Sequence, residues 1–560
     1  MELHSEENRT KWIDWLFWFT ALVLLFGALG VRGLWTAEGR WAEITREMLI
    51  SKDFFHPLIN GHPYFDKPLV SYWLIALTAP LTGMNEWALR IPSAVCGLLA
   101  LWATRRIGAR LWAPAVGRLA GWILLTTYGF MFWARTGEAD MANLAFILLA
   151  VAWYWRRREL PNFVTYLVFY VLMFIGAQMK GLTAIIIPIL VVLPDLLVEK
   201  RWKHLFSFSH FGALALGSLV YLVPFLYSHM TAEGYSSSGL DLVFRENVQR
   251  FFDPFDHIEP WYAYFEHVPV LFLPWSLILL VAAVAWVFSP NWRKYSWHSR
   301  WLGMALALIF LFFSASGSRR SYYILPILPF CAWFTALFLL AADRSPWRRV
   351  AVGIQSALIF LITLAGLAAT VAIQPIAQRL NIPVPGAIRL ALAAASLLSL
   401  GSWVLVWISR RGLSHATGIP LRFVPLLATT VFFLGAYFCV IQPSLEGFRT
   451  EKSFSLDVKE TGRTAEEVAF YQQSLENVVF YLDRAPPYHP VVANSQEAWA
   501  YLAGGPNRVV ILRRRDLPAM QQDFPIEAQG YAVVGEQVFG WDKDKKVGKK
   551  MVAWGLNDSL

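Results

Sequence analysis

Acids, cations and aromatics crowd the stretch Leu34–Leu69, LWTAEGRWAEITREMLISKDFFHPLINGHPYFDKPL, in a chain that is otherwise strongly apolar. Glu38, Arg40, Tyr64, Asp66 and Lys67 fall within it. Three further clusters repeat the mixture: Arg135, Glu138 and Asp140; Asn247, Arg250 and His257; and Arg319, Arg320, Tyr322 and Tyr323. A guanidinium presents a fork of donors matched to phosphate oxygens. An ammonium stabilises a departing anion, and a carboxylate orients a nucleophile or faces a developing positive charge. Such a set suits a reaction at an anionic lipid headgroup. The chain carries no Walker-type glycine loop, which argues against cytosolic nucleotide hydrolysis.

The elements that must position these groups are membrane helices. Of 560 residues, 56% are hydrophobic and 16% charged, and the apolar residues lie in long runs. That composition describes an integral membrane protein. Runs able to cross roughly 30 Å of hydrocarbon occur at Trp12–Gly30, Trp87–Trp102, Ala113–Trp133, Met141–Trp155, Phe163–Met179, Leu182–Leu197, Phe211–Tyr227, Val268–Phe288, Leu302–Phe313, Tyr323–Ala341, Val350–Ile373, Ala387–Ile408 and Phe423–Ile441, about thirteen spans. Backbone polar groups in hydrocarbon must pair within their own segment, so these are expected to be helices. The first, with Arg9 and Lys11 before it and no small-residue cleavage site after it, reads as an uncleaved anchor. Cys96, Cys331 and Cys439 all lie in apolar runs, so neither a disulfide framework nor a cysteine metal site is indicated.

Every second connection is basic: Arg105–Arg118, Arg156–Arg158, Lys200–Lys203, Arg293–Arg300, Arg344–Arg349 and Arg410–Arg422. These belong in the cytoplasm. The net charge of +10 is thus mostly a topology signal and not a nucleic-acid footprint. The candidate site residues fall on the other, periplasmic side. Arg319 and Arg320 stand there against the bias, which marks them for function. Within the opening stretch, Thr36 can cap a short helix. Ala42, Thr45 and Leu49 then share one face and Arg40, Glu43 and Glu47 the other, the pattern of a helix lying along the interface. Leu69–Pro80 reads similarly, started by Pro68. After residues 1–441, the segment 442–560 reads as a small periplasmic α/β domain, with a helical pattern near Ala465–Ser474 and strands at Val478–Leu482 and Val509–Leu512.

Several segments occur in one order: TAEGRWAEI, YFDKP, MFWARTGEADM, Lys180-Gly181, ENVQRFFDPFDHIEPWYAY followed by LPW, and SGSRRSYYILPILP. Together they resemble the membrane-embedded GT-C glycosyltransferases that use polyprenyl-phosphate sugars, and within these the lipid A aminoarabinose transferases. The resemblance covers roughly Trp12–Ile441. It implies an inverting transfer, in the periplasm of a bacterial inner membrane, from an undecaprenyl phosphate-linked sugar to a phosphate of lipid A. It also implies an essential acid in the first periplasmic loop. Where that family often reads Asp-Glu, this chain has Ala37-Glu38, so Glu38 carries the acid role alone or shares it with Asp140.

On this reading Lys67 holds the donor phosphate, and Arg40, Tyr64, Arg250, Arg319, Arg320, Tyr322 and Tyr323 are candidates for binding phosphate or headgroup. Each has a plainer alternative: an acid at a helix start, a snorkelling lysine, an aromatic belt. Asp66 and His257 could share a divalent metal such as zinc, completed by water or substrate, or form a hydrogen-bonded pair between loops. No cofactor is otherwise implied, and oligomeric state is not legible. Another sugar, a protein acceptor as in mannosyltransferases, or lipid-sugar transport are the competing functions. A transporter would place its charges at mid-membrane, whereas here they crowd one face.

Overall fold

The computed structural model describes residues 2–35, 37–65, 67–231, 244–253, 257–288, 296–341, 345–379, 384–409, 420–446, 450–484, 486–522, 524–525, 530–537 and 550–556. Thr36, the expected helix cap, and Asp66, one of the expected metal ligands, lie outside these residues, as do the side chains of Asn247 and Arg250.

The apolar runs fold as helices, as pairing of their backbone groups requires. In chain order they are α1 (Glu2–Phe26), α2 (Glu38–Ser51), α3 (Val70–Thr82), α4 (Glu86–Leu111), α5 (Pro114–Leu125), α6 (Tyr128–Ala134), α7 (Asp140–Arg157), α8 (Phe163–Lys180), α9 (Thr183–Val198) and α10 (Phe208–Thr231). Then follow α11 (Ala263–Leu271), α12 (Ser276–Val287), α13 (Trp297–Ala315), α14 (Leu328–Leu340), α15 (Pro346–Arg379), α16 (Gly386–Ser409) and α17 (Val424–Ala436). Among the described residues, eight helical segments are long and apolar enough to cross a membrane, or nine if the bent pair α5–α6 is one span. This is a multi-pass membrane protein, although the expected thirteen full spans reduce to fewer by length. The expected span Val268–Phe288 is two helices, α11 and α12, and α9 is short. α5 and α6 meet at 69°, where Thr126 and Thr127 turn their hydroxyls back onto the carbonyls of Trp122 and Ile123, a contact that bends helices. The bundle interior is filled by large side chains, among them Trp275, Trp301 and Trp333, all under 2% exposed.

The opening stretch is more deeply held than an interfacial helix. α2 buries both faces, including Glu43, Arg46 and Glu47. The reason is the chain after Gln442, which returns to cover the charged face. There a five-stranded mixed sheet forms in the order β4-β3-β5-β7-β6, with β3 (Val468–Tyr471), β4 (Val491–Val492), β5 (Val509–Arg513), β6 (Tyr531–Glu536) and β7 (Met551–Leu556); β1 (Leu58–Ile59) and β2 (His62–Pro63) make a small hairpin after α2. The sequence expectation of a helix near Ala465–Ser474 and a strand at Val478–Leu482 is reversed. Val468–Tyr471 is the buried strand β3, and Glu476–Leu482 is a helix, α19; α18 (Lys452–Glu460) precedes it. A short apolar run buried all round does not reveal its period, and 478–482 is buried throughout because it packs on both α2 and α18.

Specific polar contacts clasp the two parts. The Leu34 amide donates to the Tyr481 hydroxyl at 2.6 Å, and that hydroxyl donates to Glu86 at 3.0 Å. Arg46 donates to the Arg484 carbonyl at 3.1 Å, and Asn60 exchanges two hydrogen bonds with the His489 backbone. Within this contact Glu47 lies one helical turn from Glu43. Burial first, and the Glu43 carboxylate second, push the Glu47 carboxyl up to about 8, although the Gly61 amide donates to it. A carboxyl whose folded value is raised favours the protonated state. Its destabilising effect is therefore absent below its unfolded value and grows as pH rises through the folded one. Glu47→Gln is expected to raise Tm above pH 8 and to leave it nearly unchanged at pH 4.5. A Tm difference of the same size at both pH values would show that this titration does not matter to stability.

Candidate functional site

A polar-rimmed cavity opens between α7, α8, α9 and the segment 316–326, with a volume of about 400 Å³. Asp140 begins α7 and Lys180 ends α8, so helix packing alone brings them together as an ion pair. Lys180 also stands over the rings of Tyr322 and Tyr323, 4.7 and 5.0 Å from their centroids, a favourable place for an ammonium. Lys67 and Glu138 line the same cavity. Asn143, one turn into α7, donates to the Gly176 carbonyl and accepts from Thr183, each at 3.2 Å, which fixes the ends of α8 and α9 at the rim. Tyr221, Phe251, Phe252, Phe312 and Phe313 supply apolar wall. A cavity with a cationic and acidic rim and an apolar wall suits a substrate that joins a charged headgroup to a hydrocarbon chain.

Glu38 stands elsewhere. It is 0% exposed and is not among the cavity-lining residues. Arg90 clamps its carboxylate with two bonds, at 2.8 and 2.7 Å; Arg32 approaches at 3.2 Å, and the amides of Trp35 and Gly137 donate at 3.0 and 2.7 Å. Burial alone would raise its carboxyl, but the charges of Arg32 and Arg90 and the bonds from Arg90 and Gly137 hold it down to about 2. Both oxygens are committed to structure. By holding Gly137, Glu38 fixes the turn that presents Glu138 and Asp140 to the cavity.

The remaining sequence candidates divide in the same way. Arg319 gives its side-chain donors to backbone carbonyls, including Ser314 at 2.9 Å and Glu259, and its amide donates to the His257 carbonyl at 2.8 Å. It braces the loop. Arg320 donates to the Tyr322 hydroxyl and to His257 Nδ1, both at 3.0 Å. Arg40 lies on α2, over the Tyr64 ring at 5.2 Å and 3.8 Å from Glu476 of α19, so Arg40 meets the C-terminal part of the chain. Arg250 opens a one-turn helix, Arg250–Phe252, whose two phenylalanines line the cavity. His257 takes a hydrogen bond from a cation on Nδ1, and among the described residues no three His, Cys, Asp or Glu side chains gather as metal ligands do. Asp66, the other expected ligand, lies outside the described residues.

Two important residues were missed as individual candidates. Arg90, 1% exposed, also donates to the carbonyls of Leu29, Arg32 and Gly33 at 2.9, 2.6 and 2.7 Å. An arginine inside an apolar run was itself the signal. Lys180 stands in the sequence within the Lys180-Gly181 pair, and its lone charge at the end of a span carries the same information.

The fold is shared with solved structures of ArnT from Cupriavidus metallidurans. The structure aligns with ArnT from Cupriavidus metallidurans bound to undecaprenyl phosphate, at a TM-score of 0.70 and 21% identity, covering 97% of this chain and 98% of that one. Its apo form aligns at 0.68 and 22%, covering 98% and 99%. In sequence the chain is 30% identical over 331 residues, 55% of its own length, to the undecaprenyl phosphate-alpha-4-amino-4-deoxy-L-arabinose arabinosyl transferase of Pseudomonas aeruginosa PAO1, and the match spans 57% of that relative. A second such transferase, from Pseudomonas fluorescens Pf0-1, is 30% identical over 60% of this chain and 62% of its own. Residues 66–227 match the family of dolichyl-phosphate-mannose-protein mannosyltransferases.

Removing one member of a buried ion pair leaves the other charge uncompensated, at about 3–5 kcal/mol. Glu38→Gln and Arg90→Leu are therefore each expected to lower thermal stability of the purified protein by that order. Unfolding curves that overlay the unsubstituted protein would show that the pair does not brace the site.

Proposed function

We propose that this chain transfers 4-amino-4-deoxy-L-arabinose from undecaprenyl phosphate to a phosphate of lipid A, with inversion, at the periplasmic face of the inner membrane. The observation that carries the reading is the cavity in which Lys67, Asp140 and Lys180 rim an apolar wall. The likeness to the arabinosyl transferases over about half their length supports the choice of sugar and donor. The match at 66–227 to the mannosyltransferases supports a second reading, transfer of another lipid-linked sugar to a protein.

In this reaction a lipid A phosphate oxygen attacks the anomeric carbon, and the bond from that carbon to the undecaprenyl phosphate oxygen breaks, its electron pair leaving on the phosphate. The acceptor is already anionic at neutral pH, since the second ionisation of a phosphate monoester falls near pH 6, so no strong base is needed. Lys67 holds the departing phosphate as its charge grows. Asp140, oriented by Lys180, faces the positive charge that develops at the sugar ring or meets the sugar's amine. Arg320 and the tyrosine pair Tyr322–Tyr323 complete the anion side.

Purified protein given the defined aminoarabinose donor and lipid A, with products read by mass spectrometry, tests the assignment. Lys67→Ala and Asp140→Asn are each expected to lower kcat by about 10²–10³-fold, the usual loss on removing one group that stabilises transition-state charge, with Tm unchanged in Lys67→Ala and lowered, the fold being kept, in Asp140→Asn, which breaks the pair with Lys180. Near-normal transfer by either variant removes that residue from the mechanism. Product only with a mannose donor and a protein acceptor would replace the arabinose reading with the second one.

A further inference from the structure

The pair of Lys180 with Asp140 is built differently from the buried clamp of Arg90 on Glu38. The Arg90 guanidinium is fully buried and gives its donors to Glu38 and to three backbone carbonyls. An ammonium carries three N–H donors, yet among the described residues Asp140 is the one hydrogen-bond acceptor of Lys180. The ring faces of Tyr322 and Tyr323 supply the rest of its contacts, with centroids 4.7 and 5.0 Å away. The Lys180 side chain is 20% exposed and that of Asp140 5%, so the ammonium stands on the open side of the pair. All four residues line the cavity.

The two tyrosine rings stand at 88° to each other with centroids 5.1 Å apart, so their faces make a corner. Trp133 packs on Tyr322 at 4.5 Å, and Arg320 donates to its hydroxyl at 3.0 Å. These contacts hold the corner without help from the lysine. An aromatic face is the negative part of the ring quadrupole, and faces grouped in this way recognise ammonium ions. Asp140 adds a full negative charge at the same point. Lysine carries its ammonium on a flexible four-carbon stem, so this cation can leave the corner, whereas the guanidinium of Arg90 is fixed by every neighbour it has.

We propose that the corner formed by Asp140, Tyr322 and Tyr323 is the subsite for the amine of the donor sugar, and that Lys180 fills it while no donor is bound. The inference rests on the aminoarabinose reading and deepens it, because it states where the amine goes and what rejects a neutral sugar. A protonated amine replaces the Lys180 ammonium charge for charge, and the donor phosphate supplies the displaced lysine with a new counter-charge. A sugar with a hydroxyl in that place brings no charge to the corner and leaves Lys180 in it. The Tyr322 hydroxyl, held by Arg320, stays on the anion side.

Calorimetric titration of the full-length protein in detergent tests it, with undecaprenyl phosphate-linked 4-amino-4-deoxy-L-arabinose and its 4-hydroxy counterpart as the two ligands. The readout is the ratio of their Kd values, in which the shared phosphate and lipid contacts cancel. The unsubstituted protein is expected to favour the amine about tenfold. Lys180→Met removes the competing ammonium and should widen that ratio about fivefold. Tyr323→Leu should narrow it about fivefold, and Tyr323→Phe, which keeps the ring face, should preserve it. If Tyr323→Leu does not fold, Lys180→Met decides. Equal affinity for the two donors while aminoarabinose transfer proceeds, or a ratio that Lys180→Met fails to widen, overturns the proposal and leaves the aminoarabinose reading standing. So does a ratio that Tyr323→Leu leaves unchanged, or that Tyr323→Phe narrows as far as leucine does. Binding of neither donor overturns that reading, and the amine subsite with it.

Discussion

The clamp of Arg90 on Glu38 is the contact on which the site depends. Two parallel hydrogen bonds join them at 2.8 and 2.7 Å with neither side chain more than 1% exposed. Charges so buried persist only when their remaining donors and acceptors are met. Here they are met by the carbonyls of residues 29, 32 and 33 and by the amides of Trp35 and Gly137. One pair therefore ties the end of the first helix, the start of α2, α4 and the turn before α7 into a single rigid corner. The cavity acid begins immediately after that turn.

From this corner two consequences follow in opposite directions. Toward the membrane, the fixed turn lets α7 deliver Asp140 to Lys180, and the aromatic pair Tyr322–Tyr323 caps the ammonium. Outward, α2 offers its charged face to the sheet formed by the C-terminal part of the chain, which buries it. Ala37 precedes the clamp directly. Glu38 gives both its oxygens to the clamp, and the carboxylates that line the cavity are Asp140 and Glu138.

Hydrophobic clustering and the alternation of basic loops made the helical membrane architecture legible, and the ordered motifs pointed to the right class of relative. Lys67, Asp140, Tyr322 and Tyr323, from three separate stretches, do line one cavity. Arg319 and Arg40, chosen by the same criteria, make loop and domain contacts instead. Residue type was equally favourable in both groups, and only distance separated them. The exchange of helix and strand at 465–482 has a similar cause, because a run buried on all sides carries no periodicity from which to choose.

The sequence by itself determined that the chain folds as membrane helices, because hydrocarbon excludes unpaired backbone. It also determined which residue types were available to hold a phosphate. Tertiary structure alone decided which carboxylate remains at the cavity and which is spent on bracing. That choice rests on contacts between residues as far apart as Glu38 and Gly137, whose distance of 2.7 Å is set by how α2, α4 and α7 pack and not by any local pattern along the chain.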